Sequence, residues 1–205
     1  MLTQSLPKTY TSDEYRQLET TAEFRSEYRD GEIVKMPGGT INHNRITGNV
    51  FAFLKFSLRG KGAEPFMSDL RLWIPQFRRG TYPDVMVIKG QPIFNEGRQD
   101  EVLNPILIVE VLSKSTEDFD SPAETLCERE DKFRFYRSIR EFREYILINQ
   151  YEYWVQHYLK TESGQWLFQD YAGDEATVSL GSIEVQLSMG DIYEGIALET
   201  EESDS

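Results

Sequence analysis

Three ionisable residues stand where the local pattern of this 205-residue chain disfavours them. Glu110 interrupts ILIVEVL, where the other six residues are apolar. A buried, unpaired carboxylate costs several kcal/mol, so a strand of this kind must offer it compensation. A period of two puts Ile106, Ile108, Glu110 and Leu112 on one face, which aims the carboxylate into the interior or a cleft. A strand end that reaches water, or a pairing with a buried arginine, remains open as an alternative. Asp84 follows Pro83 at the mouth of TYPDVMVI, where it also suits a turn. An antiparallel pairing would bring Asp84, at the start of one strand, and Glu110, late in the next, to the same end of a sheet. Two carboxylates with nearby carbonyl oxygens suit a hard cation such as Mg2+, which takes about six oxygens and keeps several waters.

Lys132 is the third anomaly. In helical steps of about 100°, Phe135, Tyr136 and Ile139 gather around Lys132, whereas Arg134 and Arg137 fall on the opposite side. A long aliphatic stem could carry the ammonium out to the rim. The alternative places it beside Glu110, where a desolvated ammonium could position attacking water or stabilise a charged transition state.

Other candidates carry less weight. Glu27 and Asp69 fit ordinary solvated strand carboxylates. His43 and His157 have no partner at a metal-binding spacing, which argues against zinc and leaves His43 as a residue hydrogen-bonding at a helix start. Cys127 sits in TLCERE with no second cysteine anywhere in the chain and reads as an incidental thiol. The chain contains no GxSxG, GxGxxG or GxxxxGK[ST] pattern.

The elements that must position these groups are legible in part. Thr11 or Ser12, followed by Asp13 and Glu14, starts a short helix to about Leu18. Asp30-Gly31 lies between two strand-like runs and supplies the positive φ angles of a tight hairpin. From about Asn42 to Leu58, Ile46, Val50, Phe53, Leu54 and Leu58 recur at spacings of three and four, a helix with one buried stripe. SDLRLWI, DVMVI and ILIVEVL imply a central sheet, and a further helix runs from about Glu128 to Ser138. EYILIN, EYWVQHYL, QWLFQDY, ATVSL and SIEVQL then extend or flank the sheet. The pattern is α/β or α+β, with an N-terminal hairpin and extra C-terminal antiparallel strands. Residues 1–195 read as one domain and 196–205 as an acidic, fraying tail.

Composition narrows the function classes. The 39% hydrophobic and 28% charged content is that of an ordinary globular chain. No stretch reaches the roughly 20 apolar residues of a membrane span, and the N-terminus lacks a signal-peptide pattern, so the expected compartment is the cytoplasm. A net charge of −13 excludes a generally cationic surface. Any DNA binding must therefore use a local basic stripe or metal ions that neutralise clustered carboxylates.

The blocks EYRDGEIVKM, HNRI, SDLRL, YPDVMVI, PILIVEVLSKST, DKFRFYRSI and REYILIN, in that order along most of the chain, resemble the bacterial Uma-type restriction endonucleases of the PD-(D/E)xK nuclease superfamily. The resemblance implies a restriction-endonuclease-like mixed central sheet flanked by helices, and Mg2+-dependent hydrolysis of DNA phosphodiester bonds, with Mn2+ as a substitute. Carried over by position, Asp84 and Glu110 hold the metal, the Val111 carbonyl is a further ligand, and Glu27 is the early carboxylate near it. The plain motif has lysine two residues after the acid, and here that position is Leu112. The chain is similar to the subgroup in which the lysine has moved to a following helix, a role that Lys132 fits. A second departure is the long stretch SPAETLCERE before Lys132.

The expectation is thus a DNA endonuclease, acting on duplex as a homodimer. Asp84 and Glu110 bind Mg2+, Glu27 completes the shell, Lys132 assists at the phosphate, and Arg129, Arg134, Arg137, Arg140 and Arg143 either contact the backbone or form a solvated helix face. Two other classes stay open. One is a catalytically inactive nuclease scaffold that binds DNA or a protein. The other is an acidic adaptor that binds protein through its aromatic C-terminal strands.

Overall fold

The computed structural model describes residues 8–36, 38–112 and 132–198. Thr11 caps α1 (Ser12–Glu19) in a reciprocal capping box with Glu14, so the backbone donors of the first turn are satisfied locally. Strands β1 (Ser26–Arg29) and β2 (Glu32–Lys35) pair through Asp30 and Gly31, whose φ values of 45° and 104° are the left-handed geometry expected of that dipeptide. Thr40 caps α2 (Ile41–Ser57), which lies within a residue of the span its apolar stripe predicts.

The remaining strands are β3 (Ala63–Met67), β4 (Arg71–Ile74), β5 (Arg79–Thr81), β6 (Val85–Lys89), β7 (Glu101–Val102), β8 (Pro105–Val111), β9 (Glu144–Ile148), β10 (Trp154–Lys160), β11 (Trp166–Ala172), β12 (Thr177–Leu180) and β13 (Val185–Ser188). A short helix at residues 132–136, α3, precedes β9, and α4 (Met189–Ile192) follows β13. The central six-stranded sheet has the order β11-β10-β9-β8-β6-β3 and is mixed, because β8 and β9 run parallel while the other pairs are antiparallel. The fold class is mixed α+β, as the segment pattern indicates.

Two expectations need correction, and one strand was not anticipated. SDLRLWI does not enter the central sheet: β4 joins β5, β1, β2 and β7 in a second, five-stranded sheet. All four residues of β4 are buried, and Arg71 on it is neutralised by Glu101 on its parallel neighbour β7. The edge strand β3 was not foreseen, because Pro65 breaks its pattern; an edge tolerates the missing N–H. The helix expected to reach Ser138 ends at residue 136 and passes into turns, while residues 128–131 lie outside the described residues.

The central sheet buries both faces. Ile46, Val50 and Leu54 of α2, with residues of β12, β13 and α4, cover the face formed by Val85, Val87, Val109 and Ile146. Met86, Ile108, Tyr145 and Leu147 form the other face beneath Phe135 and Tyr136 of α3 and Leu72 and Ile74 of β4. Ile196 packs against the α2 side; the glutamates 199, 201 and 202 of the expected tail lie outside the described residues.

Candidate functional site

Asp84 and Glu110 come to one end of the central sheet because β6 and β8 pair antiparallel with Val85 opposite Val109, so residues 84 and 110 face each other in the same register. Glu110 shares the α3-covered face with Ile108 and Leu112, and Asp84 stands in the bend just before β6. Asp84 is fastened there: its Oδ2 accepts from the Val111 backbone N–H at 2.8 Å. Glu110 is 8% exposed. Its Oε1 accepts from the Tyr136 hydroxyl at 2.7 Å and from the Lys132 ammonium at 3.3 Å.

Lys132 therefore lies where the helical pattern and the carboxylate anomaly both point. Its Nζ also stands 3.8 Å from Glu27 Oε1, with 34% of its side-chain surface open. Glu27 reaches the cluster from the second sheet and is anchored by the Thr81 hydroxyl at 2.6 Å and by Arg29 at 3.0 Å. Asp69 does not join: it occupies an exposed turn and pairs with Arg25. Arg134 and Arg137 are exposed on α3 and just after it, their guanidiniums lying over Phe135 and Phe133 at 5.0 and 4.9 Å. Arg143 donates to the Arg140 carbonyl at 2.7 Å. Arg129, Cys127 and the whole of SPAETLCERE lie outside the described residues.

Two contributors to the site were not among the residues assigned to it from the sequence. His43 was read as a residue of the helix start, and its backbone N–H does bond the Thr40 cap; its imidazole, however, places Nε2 3.3 Å from Asp84 Oδ2. No periodicity within α2 signals this, because the partner belongs to another element. Tyr136 was detectable in principle, since it follows Lys132 by one helical turn and shares its face. His157, the other histidine, belongs elsewhere: it bonds the fully buried Glu144 at 2.7 Å.

The electrostatics follow from burial and mutual charge. Desolvation drives the Glu110 carboxyl above its ordinary range; Lys132 and the Tyr136 hydroxyl oppose this, while Asp84 and Glu27 add to it. Burial alone would lower the Lys132 ammonium, but Glu110, Glu27 and Asp84 hold it above its usual value, so it stays charged. For Glu27 burial is again the largest influence, upward, and Lys132, Thr81 and Arg29 together leave it lowered. Its hydrogen bond to Asp84 raises His43 against the effect of burial.

Glu110 and Glu27 thus flank the ammonium within 4 Å, and the charge of Asp84 also acts on it. Among the described residues, Asp84 Oδ1 and Glu110 Oε2 accept no hydrogen bond, and no group of three or more His, Cys, Asp or Glu side chains is placed to hold a metal ion by itself. Hard oxygen donors, a surplus of negative charge and an incomplete cage fit a divalent cation of the Mg2+ type. Such an ion is usually held by one or two carboxylates and completed by water and substrate phosphate.

A family model described as "Uma2: Putative restriction endonuclease" matches residues 12–190. Two uncharacterized proteins of Synechocystis sp. are similar to this chain over 185 residues, or 90% of its length. They are sll1609, 39% identical with all of its length covered, and slr1290, 32% identical with 92% covered. The crystal structure of a putative nuclease belonging to DUF820 from Anabaena variabilis superposes with a TM-score of 0.68 at 21% identity. That match covers 89% of this chain and 97% of the other, and it shows a shared fold.

Proposed function

Since the chain belongs to the Uma2 family, described as "Putative restriction endonuclease", we propose that it is a Mg2+-dependent DNA endonuclease with its centre at Asp84, Glu110 and Lys132. The observation that carries this reading is the convergence of two carboxylates and a lysine at one end of the sheet, with Lys132 Nζ 3.3 Å from Glu110. Asp84, Glu110 and the Val111 carbonyl would hold the metal, with Glu27 behind Lys132. The bound ion supplies Lewis-acid polarisation of the phosphate and a more acidic water. Lys132, charged and partly desolvated, would orient the attacking water and stabilise the negative charge that grows on the phosphoryl oxygens as the P–O bond to the leaving oxygen breaks. Tyr136 and the Val111 N–H keep the two carboxylates in place. Arg134 and Arg137, and Arg129 beyond the described residues, would contact backbone phosphates. Cleavage of both strands of a duplex would call for two such centres, hence a homodimer.

Supercoiled plasmid provides the test. Asp84→Ala and Glu110→Ala should each abolish Mg2+-dependent nicking that the wild type performs, and undiminished cleavage by both variants overturns the assignment. A second reading is favoured by the net charge of −13: a nuclease scaffold that binds DNA or protein without cutting. Calorimetric titration with Mg2+ or Mn2+ separates the two, because an intact site binds metal and a relic does not.

A further inference from the structure

We propose that the aromatic face of β10 and β11 is a stacking platform for unpaired bases of a DNA strand whose phosphate lies at the Asp84/Glu110 centre; this rests on the nuclease reading above and narrows its substrate. Touching rings run from the site through the core to this face. Tyr136, bonded to Glu110, packs on Tyr145 with centroids 5.5 Å apart, and Tyr145 stacks on Phe133 at 5.6 Å and 7°. Phe133, the residue after Lys132, meets Trp166 edge-on at 5.0 Å and Tyr158 at 4.6 Å. Tyr158 lies opposite Phe168 in register, with ring centroids 4.9 Å apart.

The inner rings belong to the core, but the outer end is open. Phe168 is 51% exposed, and Trp166 beside it is partly exposed. Cations frame these rings: Arg137 lies 4.9 Å over Phe133 and Lys160 6.0 Å over Trp166, in a chain whose overall charge is strongly negative. Aromatic rings interleaved with cations are the pattern that binds single-stranded nucleic acid, the rings taking bases and the cations phosphates. Asp170, two residues beyond Phe168 on the same face, pairs with Gln156, which pairs with Leu147 opposite Glu110, so the strand must pass this carboxylate between the rings and the centre.

Spacing selects unpaired bases. Residues two apart on a strand stand about 7 Å apart, so Trp166 and Phe168 can each take a base only from an extended strand. Duplex bases, stacked at about 3.4 Å along each strand, leave no room for a ring between them. A locally melted stretch, such as supercoiling provides, would present them.

The test measures binding in EDTA, so that cleavage plays no part. A fluorescein-labelled oligothymidylate and an abasic oligomer of equal length are titrated into the full-length protein, with fluorescence anisotropy and tryptophan emission as readouts. The oligothymidylate should bind at least about ten-fold tighter than the abasic strand, and Phe168→Ala should reduce its affinity about ten-fold while leaving the abasic strand unaffected. Trp166→Phe, which keeps a ring, should retain the affinity and lose most of the emission quench. Equal affinity for the two oligomers, or an unchanged Phe168→Ala variant, overturns the proposal. So does a shift from dimer to monomer in Phe168→Ala without loss of DNA affinity, which would assign the face to self-association. Absence of Mg2+-dependent nicking alongside base-dependent binding would refute the nuclease reading alone.

Discussion

Tyr136 donates its phenolic hydrogen to Glu110 Oε1 across 2.7 Å, and Lys132, one helical turn earlier, reaches the same oxygen at 3.3 Å. One helix face therefore neutralises and orients a carboxylate that its own strand would reject. Tyr136→Phe keeps the ring packing against Phe142 and Tyr145 and removes only the hydroxyl. Urea denaturation should show a loss of about 1–3 kcal/mol, the range for a buried acceptor deprived of its donor. A variant as stable as wild type would show that Lys132 alone satisfies Glu110.

Lys132→Met separates metal binding from chemistry. Removing the ammonium from among Glu110, Glu27 and Asp84 leaves more uncompensated negative charge, so Mg2+ affinity in calorimetry should be maintained or rise. Plasmid nicking should nonetheless fall by at least about 100-fold if Lys132 stabilises the phosphoryl charge, the magnitude seen for single groups of that kind. Nicking at the wild-type rate would remove Lys132 from the reaction.

His43→Ala tests a residue placed by the fold rather than by any motif. Helix α2 should still form, because the cap is the Thr40 hydroxyl rather than the imidazole. Circular dichroism should be unchanged while nicking falls about ten-fold if Asp84 holds the proposed metal, because a group that orients that carboxylate is lost. Full activity would reduce the His43–Asp84 contact to packing.

Away from the site, Glu101 gives the fold a pH dependence. Burial pushes its carboxyl upward, but hydrogen bonds from Arg16, Asn95 and Arg71 reverse this and leave it below its usual value of 4.5. A lowered folded-state pKa means that the stabilisation is complete above about pH 4.5 and is lost as pH falls through that value toward the folded one. Glu101→Gln removes the buried carboxylate that Arg71 and Arg16 share, leaving Arg16 with Asp13 and Arg71 with Glu19 and Asp100, and should cost about 3–5 kcal/mol near neutrality. Its stability should also fall less steeply below pH 4.5 than that of the wild type. Parallel acid limbs for the two proteins would assign acid unfolding to other carboxylates.

Much of the architecture was open to inspection in the residue order, because the signals involved are local. Asp30-Gly31 dictates its hairpin through positive φ, the stripe of Ile46, Val50 and Leu54 dictates α2, and Thr11 with Glu14 dictates the start of α1. Glu110 and Lys132 were conspicuous for the same reason: each violates the polarity of its own element, and that conflict is visible without coordinates. What no local pattern could supply was partnership between elements. The place of β4 in a second sheet, the meeting of His43 with Asp84, the approach of Glu27 to Lys132 and the ring-to-ring path from Tyr136 to Phe168 depend on strand order and on which face each helix covers. Chain position specifies which groups are costly to bury; only the packed structure decides which other charges and rings stand close enough to lower that cost.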